Sequence, residues 1–364
     1  MTTHAIAAPA ASLSDRYTVT RGVIFMSGNQ ALVRLPLQQR RRDLLAGHKT
    51  GGFISGYRGS PLGRLDMELW QSADLLRGLD IHFQPGVNED LAATALWGAQ
   101  YVPILPGGRV DGVFGLWYGK GPGVDRSGDV LKHANAAGTS PLGGVLALAG
   151  DDHAAKSSTQ AHQSEQAFIA AGIPVLYPST VQEILDYGLM GIAMSRHAGC
   201  WVAMKLVTDV VEGSSTVVVE EDRPRIVVPE DPEGERGARY IKRYQPPLQQ
   251  EAQLYNVRLP AAVAFARANG INRIAGAEAD ARIGIVSAGK SWTDTELALQ
   301  RLESQGLAVP RSQLRLLKVG MVWPLEPEIV TRFARGLERI LVIEEKRPLL
   351  EDQVKAILFA VAGA

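Results

Sequence analysis

Cysteine is almost missing from this chain: Cys200 is the only one in 364 residues. A disulfide framework is therefore excluded, as is an iron–sulfur cluster ligated by this chain alone, since both need several thiols. Net charge is missing too, because 38 basic residues balance 38 acidic ones, so nothing draws the chain electrostatically to nucleic acid or an anionic bilayer. No apolar run reaches the ~18–20 residues needed to cross a hydrocarbon core. The Ala-rich opening MTTHAIAAPAASLSD also lacks the basic start and apolar centre of a secretory leader. These absences lead us to expect a cytoplasmic protein with a frayed N-terminus that contacts neither nucleic acid nor membrane. GxSxG, HExxH and paired-cysteine patterns are absent, as is the dinucleotide fingerprint, which leaves little room for a nucleotide-dependent dehydrogenase.

What is present points to two α/β domains, because the length exceeds the roughly 100–200 residues of one domain. Residues 1–17 read as a disordered extension. From 18 to 219, short apolar runs alternate with glycine-rich turns and helical stretches, the pattern of a mostly parallel, doubly wound sheet. Strands are expected at 52–55, 112–117, 144–149, 175–177 and 201–206, mostly apolar throughout as strands covered on both faces should be. Residues 220–278, dense in Pro, Gly and charge at their start, read as a linker and connecting helix. A smaller α/β domain follows at 279–364, with strands at 282–287, 314–318 and 340–344 and helices at 293–304 and 327–336.

Four segments carry residues that chemistry could use. In GVNEDLAATALWGAQ, Asn88 stands where a helix N-cap is favoured, Glu89 opens the first turn, and alanines line the helix. Taken alone, an acid there does no more than complement the positive helix end, by roughly 0.3–1 kcal/mol. FISGYRGSPLGRLD places Gly59 and Ser60 in a turn after a strand, equally readable as a plain connection or as a backbone cradle for a ligand. WYGKGPGVDRSGD sets Lys120 and Gly121 in a glycine-rich loop. LALAGDDHAAKSSTQAHQSEQAF brings Asp151, Asp152, Ser157, Ser158 and Gln166 past a strand end, where doubly wound sheets hold ligands. Asp151, Asp152 and His153 suit a divalent cation by type, but neighbours in sequence seldom converge on one ion, so no metal site is assigned. His133, His153, His162 and His197 lack an identifiable nucleophile to serve. Tyr57, Trp97, Trp117 and Tyr118 read as core or as an aromatic-lined pocket.

In this order the segments resemble the indolepyruvate ferredoxin oxidoreductase family, in the large fused form found among bacterial 2-oxoacid oxidoreductases. GYRGS is similar to that family's first glycine turn, Asn88–Glu89 to its helix-opening pair, GKGPGVDRSGD to its lysine–glycine loop, and GDDHAAKSSTQAHQSEQ to its Asp-Asp turn. The stretches IGIVSAGKSW, LKVGMVWPLEP and ILVIEEKRPLLEDQV look like the transketolase-C-like domain that follows. The likeness runs from Tyr17 to Ile357.

The resemblance implies a pyrimidine-binding thiamine-diphosphate domain at 18–219 followed by a transketolase-C-like domain. Glu89 would be the catalytic residue, sharing a proton with N1′ of the aminopyrimidine and so preparing the cofactor to attack a 2-oxo acid. Gly59, Ser60, Asn88, Lys120, Gly121, Ser157, Ser158 and Gln166 would frame the cofactor. The family loop carries a histidine shortly after its lysine, whereas Gly121, Pro122 and Gly123 follow Lys120 here. No GDG motif for Mg²⁺ and diphosphate occurs, so Mg²⁺ and the iron–sulfur clusters are expected on a diphosphate-binding partner domain or subunit. The chain is then expected to be a fragment or split subunit, dimeric in assembly and inactive alone. It would serve oxidative decarboxylation of an aryl or branched 2-oxo acid with coenzyme A and ferredoxin. A non-catalytic scaffold subunit is the alternative.

Overall fold

Uninterrupted apolar runs become strands that need cover on both faces, and such runs form the centre of this protein. The computed structural model describes residues 12–157, 160–230, 236–276, 281–306, 310 and 313–362. Strands are numbered along the chain. They are β1 (Gly22–Ser27), β2 (Thr50–Gly56), β3 (Ile81–Phe83), β4 (Gly112–Lys120), β5 (Val145–Asp151), β6 (Val175–Leu176), β7 (Val202–Val207) and β8 (Ser214–Val219). After these come β9 (Arg273–Gly276), β10 (Ile283–Ala288), β11 (Leu314–Val319), β12 (Met321–Trp323) and β13 (Arg339–Ile343).

A seven-stranded sheet runs in the order β12-β6-β7-β5-β4-β2-β3, parallel except where β12 meets β6. Every residue of β5 and β7 is buried, as their mostly apolar composition favours, and the charged Asp151 and Lys205 are buried with them. A four-stranded sheet, β13-β10-β11-β9, forms the second layer system, with β9 antiparallel. The fold class is thus mixed α/β, rich in parallel strands.

Several sequence expectations need correction. Residues Asp15–Thr18 form a helical turn with Tyr17 buried, so the expected frayed segment is ordered from there on; residues 1–11 lie outside the described residues. β1 and β8 leave the main sheet and pair antiparallel as a ribbon. Their exposed and buried positions blur the signal, with three exposed residues opening β8. β9 falls inside the expected linker yet forms the edge of the second sheet, and β12 crosses back to extend the first. The linker itself is fastened. Arg258, fully buried, donates to the carbonyls of Asn135, Ala136 and Ala137 and to that of Arg239 at 2.7–3.3 Å. It thereby satisfies the open end of the helix Gly128–Ala137.

The two sheets are held by specific contacts. Gly289, at φ +51°, lies under Tyr177, whose ring would sit 2.2 Å from any added Cβ. Lys318 on β11 is buried and donates to Ser179 at 2.7 Å and to Glu183. Within the first unit, Arg196 forms a two-pronged pair with buried Asp43 at 2.7 Å on each side and also reaches the Gly143 carbonyl at 2.9 Å. Among the described residues no helix is long and apolar enough to cross a membrane.

Candidate functional site

β2, β4 and β5 all point their C-terminal ends the same way, so the loops that leave them gather at one end of the sheet. The helix Glu89–Ala99 starts at that end. Asn88, in extended conformation, caps it by accepting the Leu91 N–H at 2.9 Å. Trp117, fully buried on β4, donates its indole N–H to the Glu89 backbone carbonyl at 2.9 Å and fixes the first turn. Asp90 pairs with Arg126 at 2.8 Å, and the hydrogen bond from that guanidinium lowers the Asp90 carboxyl below its ordinary range.

The Glu89 side chain is half-buried and lies across Gly123: a Cβ placed on Gly123 would come within 2.5 Å of its Cγ and Oε1. Among the described residues its carboxylate makes no hydrogen bond or ion pair, whereas its neighbour Asp90 makes both. Gly123 is therefore the seat of Glu89, and sequence reading missed it, because three glycines in a loop do not say which must stay bare. An outcome follows. Gly123 has helical backbone, so Gly123→Ala suits the local conformation and should leave the melting temperature unchanged or slightly raised. The added methyl must push Glu89 aside, and any activity that depends on Glu89 should drop at least about tenfold. Unchanged turnover with unchanged melting would disconnect Glu89 from the chemistry.

Lys120 ends β4 beside Gly59, where an added Cβ would come 3.0 Å from that of Lys120. Its ammonium is already engaged, donating to the Ser157 carbonyl at 2.8 Å and its Oγ at 3.2 Å. Ser157 in turn donates from N and Oγ to Asp152 at 2.8 and 3.1 Å, and the Lys156 amide adds 3.0 Å. Desolvation raises the Asp152 carboxyl, but these donors together hold it below its usual range. Gly121 is buried against the His162 ring, and His162 reaches Asp125 at 3.0 Å. Ser60 follows Gly59 in the same turn. Thus Gly59, Ser60, Asn88, Glu89, Lys120, Gly121 and Ser157 all belong to loops and element ends on this side of the sheet. Ser158 lies outside the described residues.

Gln166 is placed differently. Its Oε1 accepts from Arg347 at 3.3 Å, so it meets the C-terminal unit while Lys120 meets Ser157. Asp151, Asp152 and His153 splay to three partners: Asp151 accepts the Ser164 amide at 2.9 Å, Asp152 takes Ser157, and His153 meets Glu345 at 3.0 Å. Burial raises the Asp151 carboxyl above its ordinary range. No three acidic, His or Cys side chains converge as metal ligands among the described residues. Trp117 and Tyr118 are fully buried core residues and Trp97 stacks on His133, so they do not form one aromatic pocket with Tyr57, which is exposed.

The chain shares its fold with a 2-oxoglutarate:ferredoxin oxidoreductase from Magnetococcus marinus. The TM-score is 0.63 at 16% identity, over 93% of this chain and 60% of that one. That likeness is one of fold: a mixed α/β architecture shared along most of this chain. Residues 272–363 match the model of the indolepyruvate oxidoreductase domain. Indolepyruvate oxidoreductase subunit IorA of Methanothermobacter thermautotrophicus is 24% identical over 344 residues, 92% of this chain and 48% of that protein. The Pyrococcus horikoshii subunit is 24% identical over 345 residues, 92% of this chain and 47% of its own length. The chain is thus similar to indolepyruvate oxidoreductase subunits along most of its length, and it spans about half the length of the relatives it matches.

Proposed function

We propose that this chain is the N-terminal portion, or a separate subunit, of a 2-oxoacid:ferredoxin oxidoreductase acting on indolepyruvate or a related aryl or branched 2-oxo acid. It supplies the pyrimidine side of a thiamine-diphosphate site. The observation that carries this reading is a half-buried carboxylate, Glu89, that no described residue hydrogen-bonds, standing at a helix start against Gly123. A carboxyl group kept free of internal partners, on a backbone pinned by Trp117 and Asn88, fits a ligand nitrogen that shares a proton with it.

Thiamine diphosphate, when bound, supplies the carbon that attacks the 2-oxo acid. The residues of this chain do the rest from fixed positions. Glu89 holds a proton at the aminopyrimidine nitrogen, Gly59 and Gly121 let backbone approach closely, and the Asp152–Ser157–Lys120 chain keeps the opposite loop in place. Mg²⁺, the diphosphate and the iron–sulfur clusters belong to a partner domain or subunit in this reading, consistent with the single cysteine. In the complete reaction the carboxylate leaves as carbon dioxide, the acyl group passes to the coenzyme A sulfur, and the released electron pair goes to ferredoxin.

The test is reconstitution in solution. Combined with the polypeptide carrying the diphosphate and cluster domains, the chain should support indolepyruvate- and coenzyme A-dependent reduction of ferredoxin. By itself it should support none. Turnover by the isolated chain, or a folded and associated mixture without turnover, rejects the proposal.

A further inference from the structure

At the opposite end of the first sheet from Glu89 lies a second concavity. It is a groove of about 990 Å³ between the starts of β2 and β4, the edge strand β3, the distal half of the helix Glu89–Ala99 and the turn at 105–110. Its wall holds three permanent cations, Arg40, Lys49 and Arg109, with His82, against one carboxylate, Asp80. In a chain whose charges cancel overall, that is a local excess. Lys49, Arg109 and His82 are exposed and make no ion pair with any described residue.

Arg40 is the informative member. It is 5% exposed, yet its Nε and Nη1 have no hydrogen-bond partner. Its one ionic contact, to Asp80, is long at 3.5 Å, and the Asp80 side chain is 75% exposed. Two other arginines are better served: half-buried Arg196 grips Asp43 with two bonds and fully buried Arg258 reaches four carbonyls. A guanidinium taken from water without its acceptors is unfavourable unless something supplies them. Apart from Thr50 and Gln84 the rest of the groove is apolar, with Phe53, Val102 and Leu105 in its lining, and Gly98 leaves open space where a side chain would stand.

We propose that this groove binds a phosphorylated small molecule, its phosphate received by Arg40 with Lys49 and Arg109 and its organic body lying on the apolar floor. A phosphate presents several acceptor oxygens in the geometry a guanidinium fork matches. It also carries enough charge to balance the surplus of cations. The groove lies apart from Glu89, so the proposal stands independently of the thiamine assignment and its readout needs no turnover.

Calorimetric titration of the full chain with inorganic phosphate, adenosine 5′-phosphate and adenosine tests it. Both phosphate-bearing probes should bind and raise the melting temperature, with affinity falling as salt rises. Adenosine should not bind. Adenosine 5′-phosphate binding about tenfold more tightly than phosphate would support an organic body on the apolar floor, and equal binding of the two would overturn that part of the proposal and leave a site for free phosphate. The double variant K49Q/R109Q, altered only at exposed positions, should fold normally and lose at least about tenfold in affinity; R40Q should lose more. Absence of binding at about 10 mM of either phosphate probe, adenosine matching adenosine 5′-phosphate, or undiminished affinity in K49Q/R109Q would each overturn the proposal.

Discussion

Replacing Glu89 with glutamine is expected to lower 2-oxo-acid turnover of the reconstituted enzyme by roughly 10²–10⁴-fold, the range a positioned acid–base group supplies, with the fold intact. The amide keeps the length and shape of the side chain and so still rests on Gly123. What it loses is a carboxyl that can hold or release a proton. Stability should barely change, for a structural reason. The first turn is secured through the Glu89 backbone carbonyl and the Asn88 cap, neither of which the substitution touches. The carboxylate itself makes no internal hydrogen bond, so what is lost is its interaction with the helix end, about 0.3–1 kcal/mol, and its attraction to exposed Arg126. Steady-state kinetics paired with thermal melts of the same samples would check both halves. Full activity in Glu89→Gln would favour the scaffold reading, in which the fold persists and the chemistry lies wholly elsewhere.

The largest effect on stability is expected at Arg196→Met. Asp43 is almost fully buried, and its carboxylate is met by Arg196 on both oxygens, by Thr50 at 2.7 Å and by Gln39 at 2.8 Å. Burial alone would raise this carboxyl; Arg196, with Thr50 and Gln39, more than offsets that and holds it below its ordinary range. Methionine has similar bulk but leaves the charge uncompensated, and breaking a buried pair in this way typically costs about 3–5 kcal/mol. The pH dependence carries a sign. In the native protein the folded-state value lies below the unfolded one, so this stabilisation is complete above the ordinary carboxylate range. It fades as pH falls through the folded-state value. In Arg196→Met the stranded carboxyl prefers to be neutral, so the deficit should be greatest near pH ~7 and shrink toward pH ~4. Urea unfolding of both proteins at the two pH values measures this. A deficit that is independent of pH would mean lost packing, and not the stranded charge, is responsible.

The sheet was legible in the sequence wherever strands were buried on both faces. β4, β5 and β7 are mostly apolar, interrupted only by Lys205 inside β7 and by Lys120 and Asp151 at the ends of β4 and β5, and their limits differ from expectation by only a few residues. Strands with mixed exposure escaped: β9 has no buried residue, and β3 and β12 are three residues long. Their place in a sheet comes from a distant neighbour and leaves little trace in local pattern.

The same division runs through the candidate site. Asn88 and Glu89 could be placed by sequence alone, because a cap and an acidic first turn are local arrangements of adjacent residues. Lys120, Gly59 and Ser157 could be assigned to loops by their glycines and strand ends. Tertiary structure alone decided that Glu89 sits on Gly123, that Lys120 is bonded to Ser157, that Gln166 faces Arg347, and that Arg40 is buried with two of its three nitrogens unpartnered. Each of those depends on two segments tens of residues apart meeting at a particular distance. Backbone periodicity and capping are written within a few residues, whereas such meetings are set only when the sheets pack.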